Sequence, residues 1–193
     1  QRRDGYDLPD ELMGGVLRIG APAAPAIELP AEMVSYQPTP ARHILAMIRR
    51  SGLDADDVLV DLGSGLGHVP LLAAICTQAR AVGIELEPAY VDCARDAAAA
   101  PGLRNVHFLQ GDARTADFSI GTVFYLYTPF KGGILGDVLE RLRQEAMRRR
   151  IRVCTFGPCT AVVAMQRWLS RCEAGDGDDV AVFDSGHPQR ASG

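Results

Sequence analysis

The stretch from Asp57 to Ala74, DVLVDLGSGLGHVPLLAA, constrains this chain more than any other. An apolar run, Val58-Leu59-Val60, ends on Asp61. Gly63, Gly65 and Gly67 follow at every second position, and an apolar helical pattern starts at Val69 with Pro70 in its first turn. A proline there costs nothing, because that N–H has no intrahelical partner. The pattern predicts a strand, a tight glycine loop and a helix. Glycines suit a loop that turns sharply and lets a ligand approach the backbone, and the helix start presents unpaired N–H groups beside it. The dinucleotide fingerprint G-x-G-x-x-G would put its third glycine at position 68, but His68 stands there.

Further acids follow at matching positions. Ala81 to Leu86 reads as a second strand, with Glu85 near its end and Pro88 opening a helix. An acid about 20 residues beyond a glycine loop is placed to accept from both ribose hydroxyls, with Glu87 as the alternative. Val106 to Leu109 reads as a third strand, followed by Gln110-Gly111-Asp112-Ala113. Thr122 to Leu126 reads as a fourth, running into Tyr127-Thr128-Pro129-Phe130 and a long helix from Gly132-Gly133. Ile151 to Phe156 is a fifth strand. The stretch from Thr160 is helix or strand by its period. Asp179 to Asp184 is a last strand, expected to be antiparallel, with a hairpin turn at Asp176 to Asp179. Alternating strands and helices predict an α/β doubly wound, mostly parallel sheet.

Upstream, Tyr36-Gln37-Pro38-Thr39-Pro40 precedes ARHILAMIRR. Thr39 suits a helix N-cap and Pro40 the first helical position. Ile44, Leu45 and Ile48 read as the buried stripe. Residues 1–35, broken by glycines and prolines, read as an N-terminal arm with one short helix near Pro9 to Met13. Residues 36–184 read as the ligand-binding domain and 185–193 as a flexible tail.

The D-x-G-x-G-x-G loop resembles motif I of the class I S-adenosylmethionine-dependent methyltransferases, and residues 36–184 resemble that family throughout. LVDLGSGLGHVPLLAA and GIELEPAYVDCA are closer still to the disruptor-of-telomeric-silencing type histone lysine methyltransferases and their bacterial relatives, over about residues 36–115. The resemblance implies a Rossmann-like methyltransferase fold with S-adenosylmethionine as cofactor and S-adenosylhomocysteine as its product. It implies cofactor contacts at Asp61, Gly63, Ser64, Gly65 and Gly67, at Glu85 and Leu86, and at Asp112 and Ala113. Asp112 would accept from the adenine amino group, and Tyr36, Gln37 and Thr39 would fold over the methionine end. The transferable methyl lies beside strand four, so Tyr127, Thr128 and Phe130 are the candidate catalytic residues. The chain departs from the family here. The histone enzymes carry Asn-Asn-Phe at this place, and amide and adenine N-methyltransferases carry Asn/Asp-Pro-Pro-aromatic. The acceptor therefore stays open between a protein or nucleic-acid side group and a small metabolite, and a non-catalytic module that only holds S-adenosylmethionine is a further alternative. His43, His68 and His107 are possible bases, His107 reading rather as a packed strand residue.

Composition narrows the classes. No apolar run reaches the ~20 residues of a membrane span, and no apolar signal core is seen, so a cytoplasmic location is expected. The five cysteines show neither a C-x-x-C nor a disulfide framework and read as reduced core thiols. No metal site is expected. The net charge of −4 gives no global footprint for nucleic acid, so strong nucleic-acid binding is not expected. Arg148, Arg149, Arg150 and Arg152 read as partners of a helix dipole. Of twenty lysines and arginines only Lys131 is a lysine, which with the alanine runs points to GC-rich bacterial coding.

Overall fold

A computed structural model of the chain describes residues 19–20, 36–172 and 180–187. The short helix expected near residues 9–13 and the hairpin turn at 176–179 lie outside the described residues. Seven strands form one sheet: β1 (Val58–Leu62), β2 (Arg80–Glu85), β3 (Val106–Gln110), β4 (Val123–Leu126), β5 (Arg152–Phe156), β6 (Ser170–Arg171) and β7 (Val180–Asp184). Their spatial order is β3-β2-β1-β4-β5-β7-β6. The first five are parallel. β7 runs antiparallel between β5 and β6, which agrees with the expected α/β sheet and its antiparallel last strand.

Helices cover both faces, which is why β1 and β4 are buried along their whole length, β4 as an unbroken apolar run and β1 interrupted only by Asp61. On one face lie α1 (Ala41–Ser51), α2 (His68–Thr77) and α3 (Pro88–Ala99), packed on Leu59, Tyr125 and Cys154. On the other lie α4 (Gly132–Ala146) and α5 (Cys159–Ala164), packed on Val58, Val60, Phe124 and Val153. Successive side chains of each strand thus feed alternate cores. The stretch from Thr160, ambiguous by period, is helical in α5.

Several local expectations are corrected. Pro40 occupies the N-cap of α1 rather than its first turn, and no side chain caps that helix. The Thr39 hydroxyl instead bonds the Tyr125 hydroxyl at 3.2 Å, tying α1 to β4. The buried residues of α1 are Ala41, His43, Ile44, Met47 and Ser51, with Ile48 half-buried against the same core as expected. Leu45 is exposed, because one residue of helix rotates it about 100° off that face. His107 is exposed, since β3 is an edge strand and its alternate side chains have no covering layer. Of the cysteines, which are all unbridged, only Cys154 and Cys159 are buried.

The arginines after α4 are not dipole partners, for the helix ends at Ala146. Arg149 donates to the carbonyls of Phe118 and Gly121 and pairs with Glu145, which Arg148 also meets. Arg150 forks onto Asp184. Arg152 pairs with Asp57 at 2.5 Å and bonds the Ser51 carbonyl. The cluster fastens α4, β5 and β7 to the amino end of the sheet. Ser185, expected to begin a loose tail, exchanges two hydrogen bonds with Ile151.

Candidate functional site

Reversal of the strand order between β1 and β4 opens a crevice above their carboxyl ends, the place where open α/β sheets bind ligands. A cavity of about 680 Å³ fills it, within the ~300–1,000 Å³ typical of small-molecule sites. Each of the five parallel strands contributes through the residues that follow it: Gly63 and Ser64 after β1, Leu86 and Glu87 after β2, Gly111 and Ala113 after β3, Tyr127 to Lys131 after β4, and Gly157 and Pro158 after β5. Tyr36, Gln37 and Thr39 close it from the side of α1.

The glycines of the loop serve different needs. Gly63 has φ +83°, and a Cβ there would lie 2.4 Å from the Cβ of Pro129, so the β1 loop can meet the β4 tail only as glycine. Gly65 (φ +52°) lies under the Tyr36 ring, whose atoms would sit 2.1 Å from an added Cβ. Gly67 caps α2 at φ +83° beneath Phe108 of β3, 2.6 Å from an added Cβ. Gly63 therefore lines the cavity, while Gly65 and Gly67 lie behind its wall and admit neighbouring rings.

Glu85 joins two walls. Its Oε2 accepts from the Gly65 N–H at 2.8 Å and its Oε1 from the Glu87 N–H at 2.9 Å. Each oxygen keeps a second lone pair, since a carboxylate offers about four acceptor sites. Glu87 instead caps α3, accepting from Ala89 N–H at 3.2 Å. Asp61 is buried (3% exposed), and burial, then the nearby Glu85 charge, hold its carboxyl well above the usual range. Ser64 Oγ is buried without a partner among the described residues. Asp61 and Ser64 both line the cavity, and the Ser64 hydroxyl is the group of the two that a ligand would satisfy. Asp112 is absent from the wall. Arg114 takes both its oxygens, at 3.1 and 3.0 Å from Nε and 2.6 Å from Nη2, which draws the carboxyl below its usual pKa.

At the β4 end, Thr128 has φ +42°, a left-handed conformation that is costly for a β-branched residue. Its Oγ1 donates to the Phe156 carbonyl and accepts from the Cys159 N–H, both at 3.2 Å. The hydroxyl is thus committed to joining β4 with α5. The Tyr127 ring tilts against Phe156 at 4.5 Å, and Phe156 stacks on His43 at 4.4 Å. Burial raises the Tyr127 pKa, so the phenol stays protonated at neutral pH. Phe130 is buried in the wall. His43 lies behind Phe156, whereas His68 lines the cavity and bonds the Tyr36 hydroxyl at 2.9 Å. Sequence reasoning missed Tyr90, Tyr125, Phe156 and Lys131 as wall residues. Tyr90 could have been found as a first-turn residue of a helix that starts at a ligand-binding strand end. Phe156 depends on which strand neighbours β4, which local pattern does not reveal.

A family profile described as a methyltransferase domain matches residues 59–154. The chain is similar to an RNA methyltransferase from Salinibacter ruber crystallised with S-adenosyl-L-homocysteine, with 31% identity, 80% of this chain and 96% of that chain covered, and a TM-score of 0.63. TrmN from Thermus thermophilus shares the fold at 21% identity and a TM-score of 0.55, over 73% of this chain and 47% of that one. An uncharacterised protein of Methanocaldococcus jannaschii is 39% identical over 66 residues, 34% of this chain. The chain spans only a quarter of that curated relative's length.

Proposed function

The chain belongs to the S-adenosylmethionine-dependent methyltransferases, and from that premise we propose that its methyl acceptor is RNA. The observation that carries this reading is the similarity to the Salinibacter RNA methyltransferase, 31% identical over 96% of that chain. A protein lysine acceptor, the other side of the sequence resemblance, is weaker. It rests on residues 36–115 alone, and the strand-four end differs from that family.

The cavity fits the cofactor. When bound, its sulfonium supplies a methyl group already activated for transfer, so the protein contributes position and electrostatics. Glu85 accepts from the ribose hydroxyls with the lone pairs that Gly65 and Glu87 leave unused. Asp61 and Ser64 face the methionine portion, where a buried carboxylate gains most from a cation. Leu86 and Ala113 wall the adenine. Tyr36, Gln37 and Thr39 close the methionine side. Asp112 is left out of this set, because an adenine amino group would have to displace the Arg114 fork. Gly65 and Gly67 shape the loop without touching the ligand.

On the acceptor side, Tyr127 orients the acceptor through its protonated hydroxyl, and Phe130 and Phe156 form apolar walls. Thr128 holds the β4 turn rather than the substrate. The cavity wall carries no arginine among the described residues, so recognition falls mainly on the base within the cavity.

Transfer of labelled methyl from S-adenosylmethionine to total RNA, compared with total protein and a small-metabolite extract, tests the reading. Label confined to RNA is expected. Label in protein or in small molecules alone would overturn it, and no transfer to any fraction would favour a binding module.

A further inference from the structure

Charge is distributed unevenly around the cavity. Asp61, Glu85 and Glu87 stand on the wall built by β1 and β2, and Lys131 stands at the end of β4 as the one lysine or arginine of the wall among the described residues. Its side chain is exposed and has no ion pair among the described residues. By contrast Arg114, Arg143, Arg148, Arg149, Arg150 and Arg152 are each matched to an acid. Lys131 is also the sole lysine in a chain whose other cations are all arginine.

We infer that Lys131 holds a phosphate of the acceptor strand while the acceptor base occupies the adjoining half of the cavity. The inference rests on the RNA reading above. Phe130, buried in the wall, fixes the backbone from which the lysine leaves, so the flexible stem starts at the rim and its ammonium stays in water. The first turn of α4 carries no acid to compete for that ammonium. A nucleotide that places its base in a pocket necessarily brings a phosphate to the pocket's mouth. An ammonium, a compact charge without the fixed fork of a guanidinium, meets a phosphodiester without demanding one orientation. The acids of the wall built by β1 and β2 repel the same phosphate. Together they set which way the strand crosses the cavity, keeping it over the acceptor half and away from the cofactor half.

The cofactor's own carboxylate is the other anion that could reach Lys131, and the test separates the two. Full-length protein saturated with S-adenosylhomocysteine is titrated with a fluorescein-labelled single-stranded RNA of mixed sequence over a series of salt concentrations. Lys131→Met is expected to reduce the log–log salt slope by about 0.7, the value of one single-strand phosphate contact. It should raise KM for RNA on the order of 10-fold with kcat and S-adenosylhomocysteine affinity retained, and Lys131→Arg should restore the slope. An unchanged slope in a variant that still binds RNA would overturn the inference. So would weaker S-adenosylhomocysteine binding with unchanged RNA binding, which would assign Lys131 to the cofactor. Wild-type protein that neither binds nor methylates RNA would overturn the acceptor reading and this assignment with it. Wild-type activity on RNA with an indistinguishable Lys131→Met variant would overturn this assignment alone.

Discussion

The carboxylate of Glu85 accepts a 2.8 Å hydrogen bond from the backbone N–H of Gly65, so the acid that ends β2 and the glycine loop that follows β1 form one unit. Replacing Glu85 removes a ribose acceptor and a brace of the loop together. Hydrogen bonds to charged groups contribute ~1.5–3 kcal/mol. Glu85→Ala should therefore weaken S-adenosylmethionine binding about 10- to 100-fold by calorimetry. Unchanged affinity would place the ribose elsewhere.

Asp61 carries the opposite kind of strain. Burial, then the Glu85 charge, hold its carboxyl above the ordinary value of 3.8. For an acid raised in the folded state, folding favours the protonated form, so stability declines as pH rises from the ordinary value through the folded one. Asp61→Asn should melt at a higher temperature than wild type above that range and bind S-adenosylmethionine less tightly. Calorimetry in buffers of different ionisation enthalpy should show wild type releasing a proton on cofactor binding as the carboxyl ionises, and Asp61→Asn releasing less.

Tyr127 and Thr128 are adjacent in sequence and should behave differently. With its hydroxyl orienting the acceptor, Tyr127→Phe should lower kcat on the order of 10²-fold with cofactor affinity retained. Equal turnover would leave the ring a packing role against Phe156. Thr128→Val strands the buried Cys159 N–H and should cost ~1–3 kcal/mol of stability in urea unfolding. Activity per folded molecule should stay near wild type.

At the amino end of the sheet, burial raises the Asp57 pKa, but hydrogen bonds from Arg152 and Thr122 outweigh it and the net shift is downward. A depressed acid stabilises the fold above its ordinary value, 3.8, and the contribution is lost as pH falls through the folded value. Asp57→Asn should be less stable than wild type in denaturant at neutral pH. The gap should close in strongly acidic solution. A pH-independent gap would mean that packing, not charge, sets the loss.

Much of this protein was determined locally. Strand, loop and helix around Asp61 to Val69, the acid at Glu85 and the helix at Pro88 are legible because hydrophobic period, glycine φ and proline placement are properties of short segments. The cavity's Gly63 and Glu85 were found that way, and Asp61 and Ser64 came from the family resemblance. What needed the tertiary structure depends on which segments become neighbours. Asp112 follows β3 as the family pattern implies, yet Arg114 claims its carboxylate. Thr39 looks like a cap until Tyr125 comes within 3.2 Å. That Tyr36 packs on Gly65 and Phe108 on Gly67 is likewise visible only in the fold. Phe156 joins Tyr127 because β5 lies beside β4, and Lys131 becomes significant once the fold places it in one cavity with Asp61, Glu85 and Glu87. Periodicity reports which way a side chain faces, whereas its partner is set by long-range strand order, which leaves no mark within a short window.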